Sequence, residues 1–142
     1  MVTRSSKERN AIMADVRAHA GDLGAIPSPV VSTFTSNKLI NDGRSLWKLK
    51  VVVSGSITGT SPTLTPQLIG YDQNGASFGI AHAAMIPITA VGTFWYVFHV
   101  DGSDSPVADR QIQVLLVTGG TSPSFGTVAA TLYGIRYINQ LW

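Results

Sequence analysis

Leu46-Trp47-Lys48-Leu49-Lys50-Val51-Val52-Val53 is the stretch on which the fold turns. Trp47, Leu49, Val51 and Val53 fall on one side of an extended chain, while Lys48 and Lys50 fall on the other with Leu46 and Val52. Successive strand side chains point to opposite faces, so this alternation predicts a strand over 46–57 with one face buried and one partly wet.

Outward from this stretch the same period recurs. Thr63–Tyr71 reads as a strand closed by the turn Asp72-Gln73-Asn74-Gly75. Phe94, Tyr96, Phe98 and Val100 alternate with Trp95, Val97 and His99, so that strand carries bulk on both faces, and Asp101-Gly102 ends it. Gln111–Val117 places Ile112, Val114 and Leu116 inward, and Thr127–Ile138 forms a last strand in which Gly134 is expected to mark a bulge. Upstream, Val30–Thr35 is β-branched, and Asn41-Asp42-Gly43 is a turn because these residues tolerate left-handed backbone angles. Seven or eight short strands separated by Gly, Pro, Ser and Asp turns predict an all-β fold, an antiparallel β-sandwich of jelly-roll type.

The N-terminus reads differently. Residues 5–20 are predicted as a short helix, with Ser5 and Glu8 forming a capping box and Ile12, Val16 and Ala20 recurring every fourth residue beside Met13. Gly21 and Gly24 end it, and Ala25-Ile26-Pro27-Ser28-Pro29 follows as an extended connector, since each proline turns its predecessor away from helix. The expected organisation is an arm over residues 1–29 and a β-domain over 30–142.

Composition narrows the function classes. The chain has 142 residues, no cysteine, 13% charged and 44% hydrophobic residues, enough for one domain with its own core and too apolar for disorder. Disulfides and zinc–thiolate sites are impossible without cysteine, and no apolar run is long enough to predict a membrane-spanning helix. The first ten residues are polar, so no secretory signal is expected. Residues 1–50 hold eight Lys/Arg against four Asp/Glu, and residues 51–142 hold two against four. These charges are not clustered with aromatics as nucleic-acid binding requires, so neither nucleic acid nor membrane is an expected partner.

No catalytic constellation is legible. Gly75-Ala76-Ser77-Phe78-Gly79 matches the nucleophile-elbow pattern, but Pro87 leaves little room for the helix that must follow and no histidine follows the later acids. His19, His82 and His99 are far apart in sequence and form no H-E-x-x-H or H-x-H pattern, so no metal site is expected. Asp101, Asp104 and Asp109 could supply part of a calcium loop, although an Asp- and Gly-rich turn is the simpler reading. Nucleotide-binding glycine patterns are absent, and no cofactor is expected. Trp47, Phe94, Trp95, Tyr96, Phe98, Tyr133, Tyr137 and Trp142 are the remaining candidates, as a platform for sugar, although most alternate along strands and read more simply as core. Trp95 and the terminal Trp142 are the exceptions, and glycan affinity would rest on Trp95 or Tyr133.

Two segments echo one another: Thr58-Gly59-Thr60-Ser61-Pro62-Thr63-Leu64-Thr65 and Gly119-Gly120-Thr121-Ser122-Pro123-Ser124-Phe125-Gly126-Thr127. Each lies between two apolar strands and is expected to be a hairpin-like connection. With these motifs, residues 46–138 resemble small β-sandwich proteins of tailed-bacteriophage structural modules, several of them head decoration (cement) proteins. That resemblance implies a non-enzymatic virion protein on the outer surface of a capsid, bridging major capsid protein subunits. A scarcely charged β-domain suits such a role, because charge is depleted from interface cores. The residues expected to meet the capsid or another subunit are Arg9, Ile12, Met13, Val16 and Arg17 of the arm, Pro62 and Pro123 of the echoed loops, and Trp142 at the end. Self-association is expected, a two-fold homodimer before a trimer. The alternative is a carbohydrate-binding or tail-fibre module of the same fold.

Overall fold

A computed structural model describes residues 12–19, 21–77 and 86–139. It is all-β, as the alternation predicts. Six strands form one antiparallel sheet: β1 (Ile12–His19), β2 (Phe34–Thr35), β3 (Leu39–Ile40), β4 (Leu46–Tyr71), β5 (Gly92–His99) and β6 (Gln111–Asn139). The spatial order is β1-β6-β4-β5, with β2 and β3 also paired to β6.

The many short strands resolve into two long ones. The expected strands at 46–57 and 63–71 are both β4, and those at 111–117 and 127–138 are both β6. These two pair with one another from Leu46↔Ile135 to Tyr71↔Gln111. A straight strand from Trp47 to Tyr71 would span about 80 Å. Instead Trp47 Nε1 donates to Asn41 Oδ1 at 2.7 Å, Asn41 N–H donates to the Arg110 carbonyl, and Arg110 N–H donates to the Tyr71 carbonyl. The two ends of β4 are thus close together, so the β4/β6 ribbon doubles back on itself. One arm is β1, the second half of β6, the first half of β4, and β5; the other is the second half of β4, the first half of β6, and β2 and β3. Both contribute to a single core that includes Trp47, Leu49, Leu64, Leu68, Phe98, Ile112, Leu116, Phe125 and Leu132.

The echoed segments lie at the bend. They are not hairpin connections but reciprocal bulges inside the two continuous strands, and this corrects the sequence expectation. Thr60 pairs with Thr121; on one side Gly59 faces Ser122-Pro123, and on the other Gly120 faces Ser61-Pro62. Ser61 and Ser122 have φ of 50° and 49°, and Gly59 and Gly120 have φ of 114° and 93°. The same four residues therefore fold the same way twice, about a local two-fold axis at the Thr60–Thr121 pair. The symmetry extends to the flanks. Leu64 exchanges backbone hydrogen bonds with Ile88 after Pro87, and Phe125 does so with Val30 after Pro29, all four side chains being buried. A third bulge, at Ser54/Ile57 opposite Gly126, belongs to β4 alone.

Two further expectations are corrected. Ile12–His19 is a strand on the edge of β6, not part of a helix; residues 5–11 and Ala20 lie outside the described residues. An isolated short helix is marginal in water, whereas the exposed edge of β6 offers Ile12–His19 a complete backbone ladder. Gly134 marks no bulge, because β6 pairs in regular register there. It is glycine because a Cβ would stand 2.7 Å from the Trp47 ring and from the Arg44 side chain, which lie across it.

Candidate interface on the outer face of the sheet

The outward face of the four-stranded arm is built by the alternation first read in β4. With Trp47, Leu49, Val51 and Val53 buried, Lys48 and Lys50 must point outward. Cross-strand register then sets their neighbours. Lys48 lies between Val97 on β5 and Tyr133 on β6, and Lys50 lies between Trp95 and Thr131. Trp95 is 55% exposed and Val97 44% exposed, while their alternates Tyr96 and Phe98 are buried. Trp95 and Tyr133 reach diagonally over β4, with ring centroids 5.8 Å apart and planes tilted by 31°. The Lys50 ammonium stands 5.7 Å from the Trp95 ring centre, within the range of a cation–π contact. Among the described residues, the outward positions of this arm, which run from Val16 and Ala18 on β1 through Ala129, Thr131, Tyr133 and Ile135 on β6 and Lys48 and Lys50 on β4 to Trp95 and Val97 on β5, include no carboxylate. The face is therefore aromatic and apolar with two ammonium groups, and it suits an acidic or sugar-bearing surface better than a basic one.

The predicted interface residues fall in two separate places. Val16 is exposed on the outward face of β1, opposite Ile135, and Arg17 makes an exposed ion pair with Asp42 at 3.6 Å. Pro62 and Pro123 lie at the bend of the ribbon on opposite sides of the Thr60–Thr121 pair, Pro62 facing Gly120 and Pro123 facing Gly59. The backbones of Ile12 and Met13 pair with Asn139 and Ile138, but their side chains, like Arg9 and Trp142 entirely, lie outside the described residues.

Other sequence candidates find structural uses. Asp72 organises the turn before Ser77, accepting from the N–H groups of Asn74 and Ala76, and Ser77 bridges back to Tyr71. His19 ends β1 with its ring 5.8 Å from that of Trp47 and its Nδ1 2.7 Å from Asp22 Oδ2. In the acid-rich loop, Asp101 Oδ1 accepts from Ser103 N–H, and Asp109 Oδ2 accepts from Asp101 N–H at 2.7 Å. The hydrogen bonds from Ser103, backbone first and hydroxyl second, hold the Asp101 carboxyl below its ordinary pKa, with a smaller contribution from Arg110. A cleft of about 350 Å³ opens beside this loop, lined by Asp42, Asp104, Asp109, Arg110 and Arg136, so charges of both signs face it. Among the described residues, no three His, Asp or Glu side chains gather as metal ligands would.

The residue that sequence reading missed is Arg44. It is 1% exposed, and its guanidinium donates to the Asp15 carbonyl at 2.8 Å, the Gly134 carbonyl at 3.0 Å and the Asp15 carboxylate at 2.8 Å. It fastens β1 to the rest of the sheet. Nothing in its local sequence marks it, since a turn arginine is ordinarily solvated.

No family model matches the chain, and no curated protein matches it. Among solved structures it is similar to the SPBc2 prophage-derived protein YomS, with a TM-score of 0.47 and 12% identity over 87% of this chain and 96% of that one. An overlay at that level decides neither fold nor function.

Proposed function

We propose that this chain is a structural protein of a phage virion that decorates the outside of a capsid, bridging major capsid protein subunits by surface docking without a chemical step. The observation that carries docking is the outward sheet face: a half-exposed Trp95, its neighbours Val97 and Tyr133, and Lys48 and Lys50, with no carboxylate among them. Trp and Tyr are usual anchors of protein interfaces, and monomeric surfaces seldom leave a large apolar patch uncovered. The resemblance to head decoration proteins supplies the capsid as the partner.

Co-sedimentation with heads of the encoding phage tests this reading. The wild type is expected to bind saturably and raise the temperature at which heads rupture, and Trp95→Ala is expected to weaken binding by about 2 kcal/mol, a roughly 30-fold loss. No binding to heads rejects decoration. A second reading, glycan recognition, is favoured by the tilted Trp95–Tyr133 pair, which offers ring faces to a sugar; affinity for a glycan lost in Trp95→Ala and Tyr133→Ala would establish it instead.

A further inference from the structure

Within its own sequence and pairing, β5 carries none of the devices by which an edge strand protects itself. Among the described residues, β5 pairs with β4 on one side and with no strand on the other. Such an edge presents unpaired N–H and C=O groups to any extended chain, and soluble proteins guard it with Lys, Pro, a bulge or a very short strand. Gly92–His99 reads Gly-Thr-Phe-Trp-Tyr-Val-Phe-His, with no Lys, Arg, Asp, Glu or Pro, and pairs with β4 in unbroken register over its whole length. Ile86, Val91, Trp95 and Val97, half of the eight exposed large apolar side chains among the described residues, lie on this strand or on the segment leading into it.

We propose that β5 is the seam of a homodimer, in which two copies pair antiparallel about a two-fold axis at Tyr96 and the sheet runs continuously from one copy to the other. The two-residue period restricts the register, because only pairings of like parity keep the buried face inward on both copies. With Tyr96 opposite Tyr96 of the second copy, Phe94 meets Phe98 on the inner face and Trp95 meets Val97 on the outer one. The two indoles are then kept apart, and each packs on a smaller side chain. The electrostatics permit a second copy. The seam strand has no formal charge, and the lysines of β4 stand one strand back from it. Across the seam the two β4 strands would be three strand spacings apart, about 14 Å, which exceeds the screening length of about 8 Å at physiological salt. An uncharged, alternating edge of this kind fits a copy of itself better than a charged partner. The dimer would carry two Trp95–Tyr133 faces side by side on one surface. This inference does not depend on the capsid reading.

Light scattering on the full chain, with hydrogen exchange of the β5 amides, tests the seam. The expected particle has twice the 15.1 kDa chain mass. Val97→Lys, which places an edge lysine on the outer face of the seam, is expected to weaken the dimer by more than about tenfold, whereas Val31→Lys, exposed elsewhere, leaves it intact. In the wild type, Gly92–His99 amides are expected to exchange faster as dilution dissociates the dimer. That readout needs no variant to fold. A wild-type monomer, a trimer, a dimer that survives Val97→Lys or is lost in Val31→Lys, or β5 exchange independent of concentration would each overturn the proposal.

Discussion

At the residue scale, two side chains show how little local sequence says about a tertiary role. Arg44 sits in a turn after Asn41-Asp42-Gly43, whose positive φ values of 59° at Asp42 and 69° at Gly43 match the sequence reading. The turn was legible because its chemistry is local; the arginine was not, because its acceptors, Asp15 and Gly134, come from distant strands. Arg44→Met keeps the stem that packs over Gly134 and removes the hydrogen bonds. We expect a loss of about 1–3 kcal/mol, concentrated in β1, so that Val16–His19 amides exchange roughly 10- to 100-fold faster while those of Leu64–Leu68 do not change. Unaltered β1 exchange would remove Arg44 from this role.

Tyr96 belongs to the same scale. Its ring is buried, its hydroxyl donates to the Ile86 carbonyl at 3.0 Å, and burial raises its pKa above the ordinary value of 10.0. The neutral phenol is the form the fold favours, so its contribution to stability is intact below pH 10 and declines as pH rises through the folded-state pKa. Urea midpoints for the wild type are expected to fall between pH 9 and pH 11 more steeply than those for Tyr96→Phe. Equal slopes would show that Tyr96 is not the group responsible.

At the scale of elements, the reciprocal bulges are the device that turns two straight strands into a doubled-back ribbon. A bulge bends and twists its strand, and here two of them face each other at the same point. Glycine is needed at both. A Cβ on Gly59 would stand 2.5 Å from the Ser122 carbonyl oxygen, and one on Gly120 would stand 2.6 Å from that of Thr60. Gly120→Ala is therefore expected to cost about 3 kcal/mol or more, combining a left-handed backbone with a clash against immobile backbone atoms. Gly75 provides the comparison: its φ is 79°, but nothing lies within 4 Å of a Cβ there, so Gly75→Ala is expected to cost only about 1 kcal/mol. Urea unfolding of both variants measures the difference, and equal losses would refute the clash. The echo was visible in the sequence as repeated turn chemistry. Its place within a strand was not, because Gly, Ser and Pro relieve a tight turn and a bulge by the same means.

At the scale of the whole molecule, the alternating residues of β4, β5 and β6 determined the all-β class, the buried faces and the outward direction of Lys48, Lys50, Trp95 and Val97. The physical reason is that a strand's two-residue period is a property of the backbone itself and acts wherever one face is dry. Only the tertiary structure decided what those strands join. Leu46 finds Ile135 and Trp47 finds Gly134 through hydrogen bonds and packing between segments far apart in the chain, which no local pattern encodes. The same cause converted the expected helix at Ile12–His19 into a strand, since an edge that supplies a full backbone ladder outweighs a narrow apolar stripe with a capping box. It also assembled the candidate interface: Trp95 and Tyr133 lie on different strands and become one surface only because β4 is threaded between them.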